Sequence, residues 1–114
     1  MIDRLLVDEL ARLVLGWRLA PDRYLKPQRG WVPRFKFRPL TDIRDAFRLL
    51  DQLTDDYSLT AVPGRGFTVE VRSKGRIGRA SGEIAARTIM FALAQFFGLD
   101  APETAQSHGG PRKQ

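Results

Sequence analysis

The side chains in this chain with most capacity for chemistry are cations gathered in two stretches. Arg34, Lys36 and Arg38 alternate with Phe35 and Phe37, while Arg72, Lys74, Arg76 and Arg79 surround Gly75 and Gly78. Guanidinium and ammonium groups at that density can neutralise phosphates or grip a carboxylate through paired N–H donors. Both stretches are therefore candidate surfaces for nucleic acid or for a small anionic ligand. Aromatic faces would add base stacking, and Tyr24 and Trp31 are the candidate exposed platforms. Strict alternation instead sends Phe35 and Phe37 to one side and the cations to the other, as expected of a half-buried strand over residues 34–38 with a basic outer face.

Catalytic chemistry finds little to work with. There is no cysteine, which removes thiol nucleophiles, thiolate metal ligands and disulfides. The only histidine, His108, lies in a polar C-terminal segment without pattern, where a general base would have no fixed geometry. Asp42 and Asp45 read as helix-capping carboxylates and Asp55 with Asp56 as a turn, so no metal site is expected. Gly64-Arg65-Gly66 and Lys74-Gly75-Arg76-Ile77-Gly78-Arg79 match neither the P-loop nor the dinucleotide fingerprint. The second comes nearer, because a helix expected to begin after Ser81 would present its N–H groups to an anion. The expectation is a binding protein rather than an enzyme, with no cofactor.

The elements that must position these residues follow from periodicity. Ile2, Leu6, Leu10, Leu13 and Trp17 recur at helical spacing, with Arg4, Asp8 and Arg12 as a charged stripe and Gly16 as the stop. Thr41 is placed to cap a second helix, lined by Ile43, Ala46, Phe47, Leu50 and Leu53. Residues 57–62 and 67–72 are β-type runs joined by Pro63-Gly64-Arg65-Gly66, and a third strand is expected around Ile77. The last helix, from Ser81 as cap to Gly98, is apolar nearly all round, which predicts burial on most sides or a homo-oligomer formed through it.

This order predicts one α+β domain over residues 1–99, a small antiparallel sheet of three or four strands flanked by about three helices, followed by a flexible tail at 100–114. Charged residues throughout the first helix exclude a signal peptide, and no apolar run is long enough for a membrane span, so a cytoplasmic protein without membrane contact is expected. The net charge of +6 suits a polyanionic partner. Only Lys26, Lys36, Lys74 and Lys113 are lysines, however, and an arginine bias of that kind is also what GC-rich coding produces.

Val14-Leu15-Gly16-Trp17 at a helix end, Trp31-Val32-Pro33, the helix start Leu40-Thr41-Asp42-Ile43-Arg44-Asp45-Ala46-Phe47 and the final helix through 89–93 together resemble the phage ABA sandwich domain family. The resemblance spans roughly residues 1–99. It implies a small antiparallel sheet with helices on both faces, in a protein encoded by a phage or prophage. It implies no activity. Taken with the small size and the lack of catalytic groups, the expectation is a non-enzymatic accessory protein that acts by binding a protein partner, another macromolecule or a small anionic ligand. Phe47 stands where that family often carries tryptophan, and Ala86 near where it carries proline.

Overall fold

The structure, a computed structural model, describes residues 3–53 and 55–99. The segment 100–114, with His108 and the expected tail, lies outside the described residues.

Helix α1 (Asp3–Leu10) buries Leu6, Val7 and Leu10 along one face. It continues as a π-helical turn, Ala11–Leu15, that stops at Gly16 in the left-handed conformation, φ 73°. The Gly16 and Trp17 N–H groups donate to the Arg12 and Ala11 carbonyls, each at 3.2 Å. The wider turn rotates the inward face. Ala11 is buried and Leu13 is exposed, the reverse of what a continuous α-helical spacing predicts.

After the turn come three short strands, β1 (Arg18–Leu19), β2 (Arg23–Leu25) and β3 (Trp31–Pro33), paired antiparallel in that order. Beneath them Trp17, Tyr24 and Phe37 form an aromatic cluster with ring centroids 5.0 to 5.8 Å apart. Residues 34–38 are not the expected strand. Arg34–Lys36 is a 3₁₀ turn, and at three residues per turn, side chains two apart diverge. Phe37 is accordingly 3% exposed while Phe35 is 64% exposed.

Helix α2 (Ile43–Leu53) is capped by Asp42, one residue later than the sequence suggests: its Oδ1 accepts the Arg44 N–H at 2.9 Å. Hydrogen bonds from the Arg44 side chain, then from its backbone, hold the Asp42 carboxyl below its usual range. Asp45 accepts the Arg38 N–H at 2.9 Å and so ties the preceding loop to the helix.

The second half is a meander of β4 (Asp56–Val62), β5 (Gly66–Ser73) and β6 (Arg76–Gly82), followed by α3 (Ala85–Phe97). The β5–β6 turn is the pair Lys74-Gly75, both at positive φ, as a two-residue type I′ hairpin requires. Ser81 is not a helix cap: it lies in β6 with its Oγ 3.0 Å from Thr68 Oγ1 across the sheet. α3 begins four residues later. It ends in a Schellman turn at Gly98, where Leu99 N–H reaches Ala94 O at 2.8 Å.

The α+β class stands, with the strands divided between two three-stranded sheets rather than joined in one. α3 packs on β5 and β6 with one face and on α1 and α2 with the other. That central position explains a helix without a polar face: Ala86, Thr88 through Ala94 and Phe96 are all buried within one chain. The apolar surface that suggested a second copy bound through α3 is thus already covered. Closest approach is at Gly78, where an added Cβ would lie 2.3 Å from Ala92 O and 2.6 Å from Phe96 Cβ.

Candidate functional site

An open cleft of about 410 Å³ lies between α1, β2 and the loop after β3. Val7, Phe35, Phe37 and Leu40 give it apolar walls, and three arginines, Arg4, Arg34 and Arg38, also line it, together with Asp3. Each comes from a different local structure: Arg4 from the first turn of α1, Arg34 from the 3₁₀ turn, and Arg38 from the loop anchored by Asp45.

Asp8 organises the floor. Its Oδ1 accepts the Tyr24 hydroxyl at 2.7 Å, and its Oδ2 accepts the Arg34 NH2 group at 2.6 Å. The Asp8 and Arg34 side chains are only 11% and 17% exposed, so the pair is largely desolvated. Burial first, and then the Asp8 bond, push the Tyr24 phenol up to about 12. The Arg34 Nε is buried without a hydrogen-bond partner among the described residues. At the mouth, Asp3 forms a bidentate pair with Arg87 of α3, both bonds 3.1 Å. The side chains of Arg4 and Arg38 form no ion pair among the described residues.

The cations singled out by sequence divide into two groups, on different sheets. In the first, Arg34 is held by Asp8, while Lys36 and Arg38 are exposed and unpaired among the described residues. In the second, Arg72 bonds Asp56 at 3.0 Å and also pairs with Glu70. Arg76 donates to the Phe96 carbonyl at 2.6 Å, with its guanidinium 5.0 Å from the Phe96 ring. It therefore caps the C-terminus of α3, where the helix dipole favours a cation. Lys74 and Arg79 carry no ion pair among the described residues, although the Arg79 backbone N–H donates to the Gln95 side chain. With α3 starting at Ala85, the basic hairpin has no helix N-terminus behind it.

Of the two aromatic platforms, Tyr24 is 3% exposed and cannot stack on a ligand. Trp31 is 53% exposed, but the Arg23 guanidinium sits 4.3 Å from its ring centroid. Two residues that matter here were not singled out by sequence. Asp8 looked satisfied within its own helix by Arg4 and Arg12, and Arg4 looked like part of a solvated stripe. No single-residue signal separates them from ordinary helix charges. Among the described residues no three His, Cys, Asp or Glu side chains cluster, and no helix is long and apolar enough to cross a membrane.

The molecule is a small α+β domain in which one helix is sandwiched between a sheet and two further helices, beside a second sheet. The same fold is seen in the 2.0 Å crystal structure of a phage protein from Bacillus cereus ATCC 14579, with a TM-score of 0.68 over 90% of this chain and 93% of that one. At 21% identity the likeness is one of fold. No family model matches the chain, the phage ABA sandwich family included. No curated protein matches it in sequence.

Proposed function

We propose that this is a non-enzymatic accessory protein of phage type that binds a small organic anion, a carboxylate or phosphate carried on an apolar body, in the cleft between α1 and the Arg34–Lys36 turn. One observation carries this reading: three arginines line an apolar cleft and, among the described residues, only one of them has a carboxylate partner. Guanidinium groups on a partly dry wall grip planar or tetrahedral oxyanions, while Phe35 and Leu40 take the apolar part. The phage connection rests on the shared fold. Calorimetric titration with adenosine monophosphate, benzoate and inorganic phosphate tests the reading. Saturable binding of one of the two organic anions, weakened about tenfold in Arg38→Ala and unchanged in Lys74→Ala, is the expected result. No heat with any of them at millimolar concentration overturns it.

A nucleic-acid surface is the second reading, favoured by the exposed Lys36, Arg38, Lys74 and Arg79, which form no ion pair among the described residues. Titration against labelled duplex and single-stranded DNA at two salt concentrations distinguishes it. Affinity for duplex should then fall with log salt at a slope of about 0.9 per phosphate neutralised. Arg79 is the position for charge reversal, since Arg76 also caps α3 and its loss would confound the result.

A further inference from the structure

The two outer edges of the β4-β5-β6 sheet are treated differently. At β6 the edge is partly blunted: Gln95 of α3 takes the Arg79 N–H, and the Arg76 side chain reaches over to the Phe96 carbonyl. At β4 no side chain or loop among the described residues bonds to the outer backbone between Tyr57 and Ala61. Natural edge strands are usually blunted by lysine, proline, a bulge or extreme shortness. Tyr57-Ser58-Leu59-Thr60-Ala61-Val62 has none of these: it is free of Lys, Arg, Pro and Gly, and its strand pairs with β5 without a bulge over seven residues. The strand is half-buried at most along its whole length.

We propose that β4 is a dimerisation edge, at which a second copy of this chain pairs antiparallel about Leu59 and joins the two sheets into one. The register is set by the strand itself. Leu59 is the midpoint of Asp56–Val62, so pairing Leu59 with its counterpart uses every residue of the strand. Tyr57, Leu59 and Ala61 face the helices, opposite Val71, Val69 and Phe67 of β5, while Ser58 and Thr60 face outward opposite Glu70 and Thr68. About a two-fold axis at Leu59, Tyr57 meets the other copy's Ala61 and Ser58 meets its Thr60. Apolar side chains therefore oppose apolar ones on one face, and hydroxyls oppose hydroxyls on the other. Asp56 meets Val62, so no like charges are opposed. Tyr57, exposed at the edge with its ring centroid 6.1 Å from that of Phe47 of α2, would be covered by the incoming strand. β6 is the poorer receiving edge, because Gln95 of α3 already takes its Arg79 N–H and two of its residues, Arg76 and Arg79, are cations. None of the cleft residues takes part.

Sedimentation of the full chain across a micromolar to millimolar series tests the pairing. The expected mass is that of two chains, and association should strengthen with added salt, since two copies of net charge +6 repel. The double variant Ser58→Lys with Thr60→Lys opposes introduced lysines across the interface and should sediment as one chain with unchanged circular dichroism. Mixing it in equal amounts with Ser58→Glu/Thr60→Glu should restore the two-chain mass. Amide exchange of the wild type supplies a measurement free of substitutions: the alternate N–H groups of 57–62 that point away from β5 should lose protection on dilution, while those bonded to β5, and those of β5 itself, keep theirs. A wild type that stays monomeric at millimolar concentration, or a lysine variant that stays dimeric, overturns the proposal.

Discussion

The sheet β1–β3 has strands of two or three residues, and β4–β6 has strands of seven or eight. The longer sheet rests on α3, a helix with no polar face, and is held by close apolar contact down to the approach of backbone at Gly78. The shorter one has too few ladder bonds to stand alone. It is held by three aromatic rings and by an aspartate that bonds a phenol and a guanidinium. Dense packing serves where the chain needs only rigidity. Charge and hydroxyl groups do structural duty where an open cleft leaves part of the site wet.

Substitutions should separate the two modes of support. The largest effect is expected at Gly78→Ala, whose methyl group meets Ala92 O and Phe96 in van der Waals overlap and must push α3 off the sheet. Overpacking of this kind costs about 3 kcal/mol, readable in urea unfolding as a lower midpoint with unchanged slope. Asp8→Asn comes next at about 2 kcal/mol, because Arg34 then keeps its charge in a partly dry site without a counter-ion. Double-mutant analysis with Arg34→Gln should give a coupling of about 1 kcal/mol or more. No coupling would mean that the pair does not hold the short sheet.

Tyr24→Phe should cost about 1 kcal/mol at neutral pH, for one lost hydrogen bond. It also has a signature in pH. The unfolded phenol releases its proton near 10.0 while the folded one keeps it to about 12. Its contribution is complete below the lower value and is lost as pH rises through the higher one. The wild type should therefore weaken across that window, and Tyr24→Phe should lose this part of the decline. Arg38→Ala should be the mildest for stability, within about 0.5 kcal/mol, yet should weaken binding of the organic anion about tenfold, near 1.4 kcal/mol. Unchanged binding in Arg38→Ala would place the ligand elsewhere.

The three helices and the long meander were legible because each is periodic over enough residues to show its face. α2 follows from Ile43, Ala46, Phe47 and Leu50, and the meander from its β-branched runs and glycine turns. The short sheet was not legible, since two or three residues between prolines carry no period. At Phe35 and Phe37 a true alternation pointed to the wrong element, because a 3₁₀ turn bracketed by Pro33 and Pro39 spaces its residues differently. The cleft was half legible. Arg34 and Arg38 stood out as cations, whereas Asp8 and Arg4 gain their roles only when α1 is laid beside β2, a long-range contact that local charge pattern does not encode.

The π-helical turn at Ala11–Leu15 also has an effect on chain length. Relative to a plain α-helix it holds one extra residue. A single deletion there would let α1 run on regularly, yet would swing Trp17 by about 100° and take it away from Tyr24 and Phe37. The aromatic cluster thus fixes how many residues separate Leu10 from Trp17. Side chains on the outside of that turn, such as Leu13, can be exchanged freely, but the segment should tolerate neither insertion nor deletion.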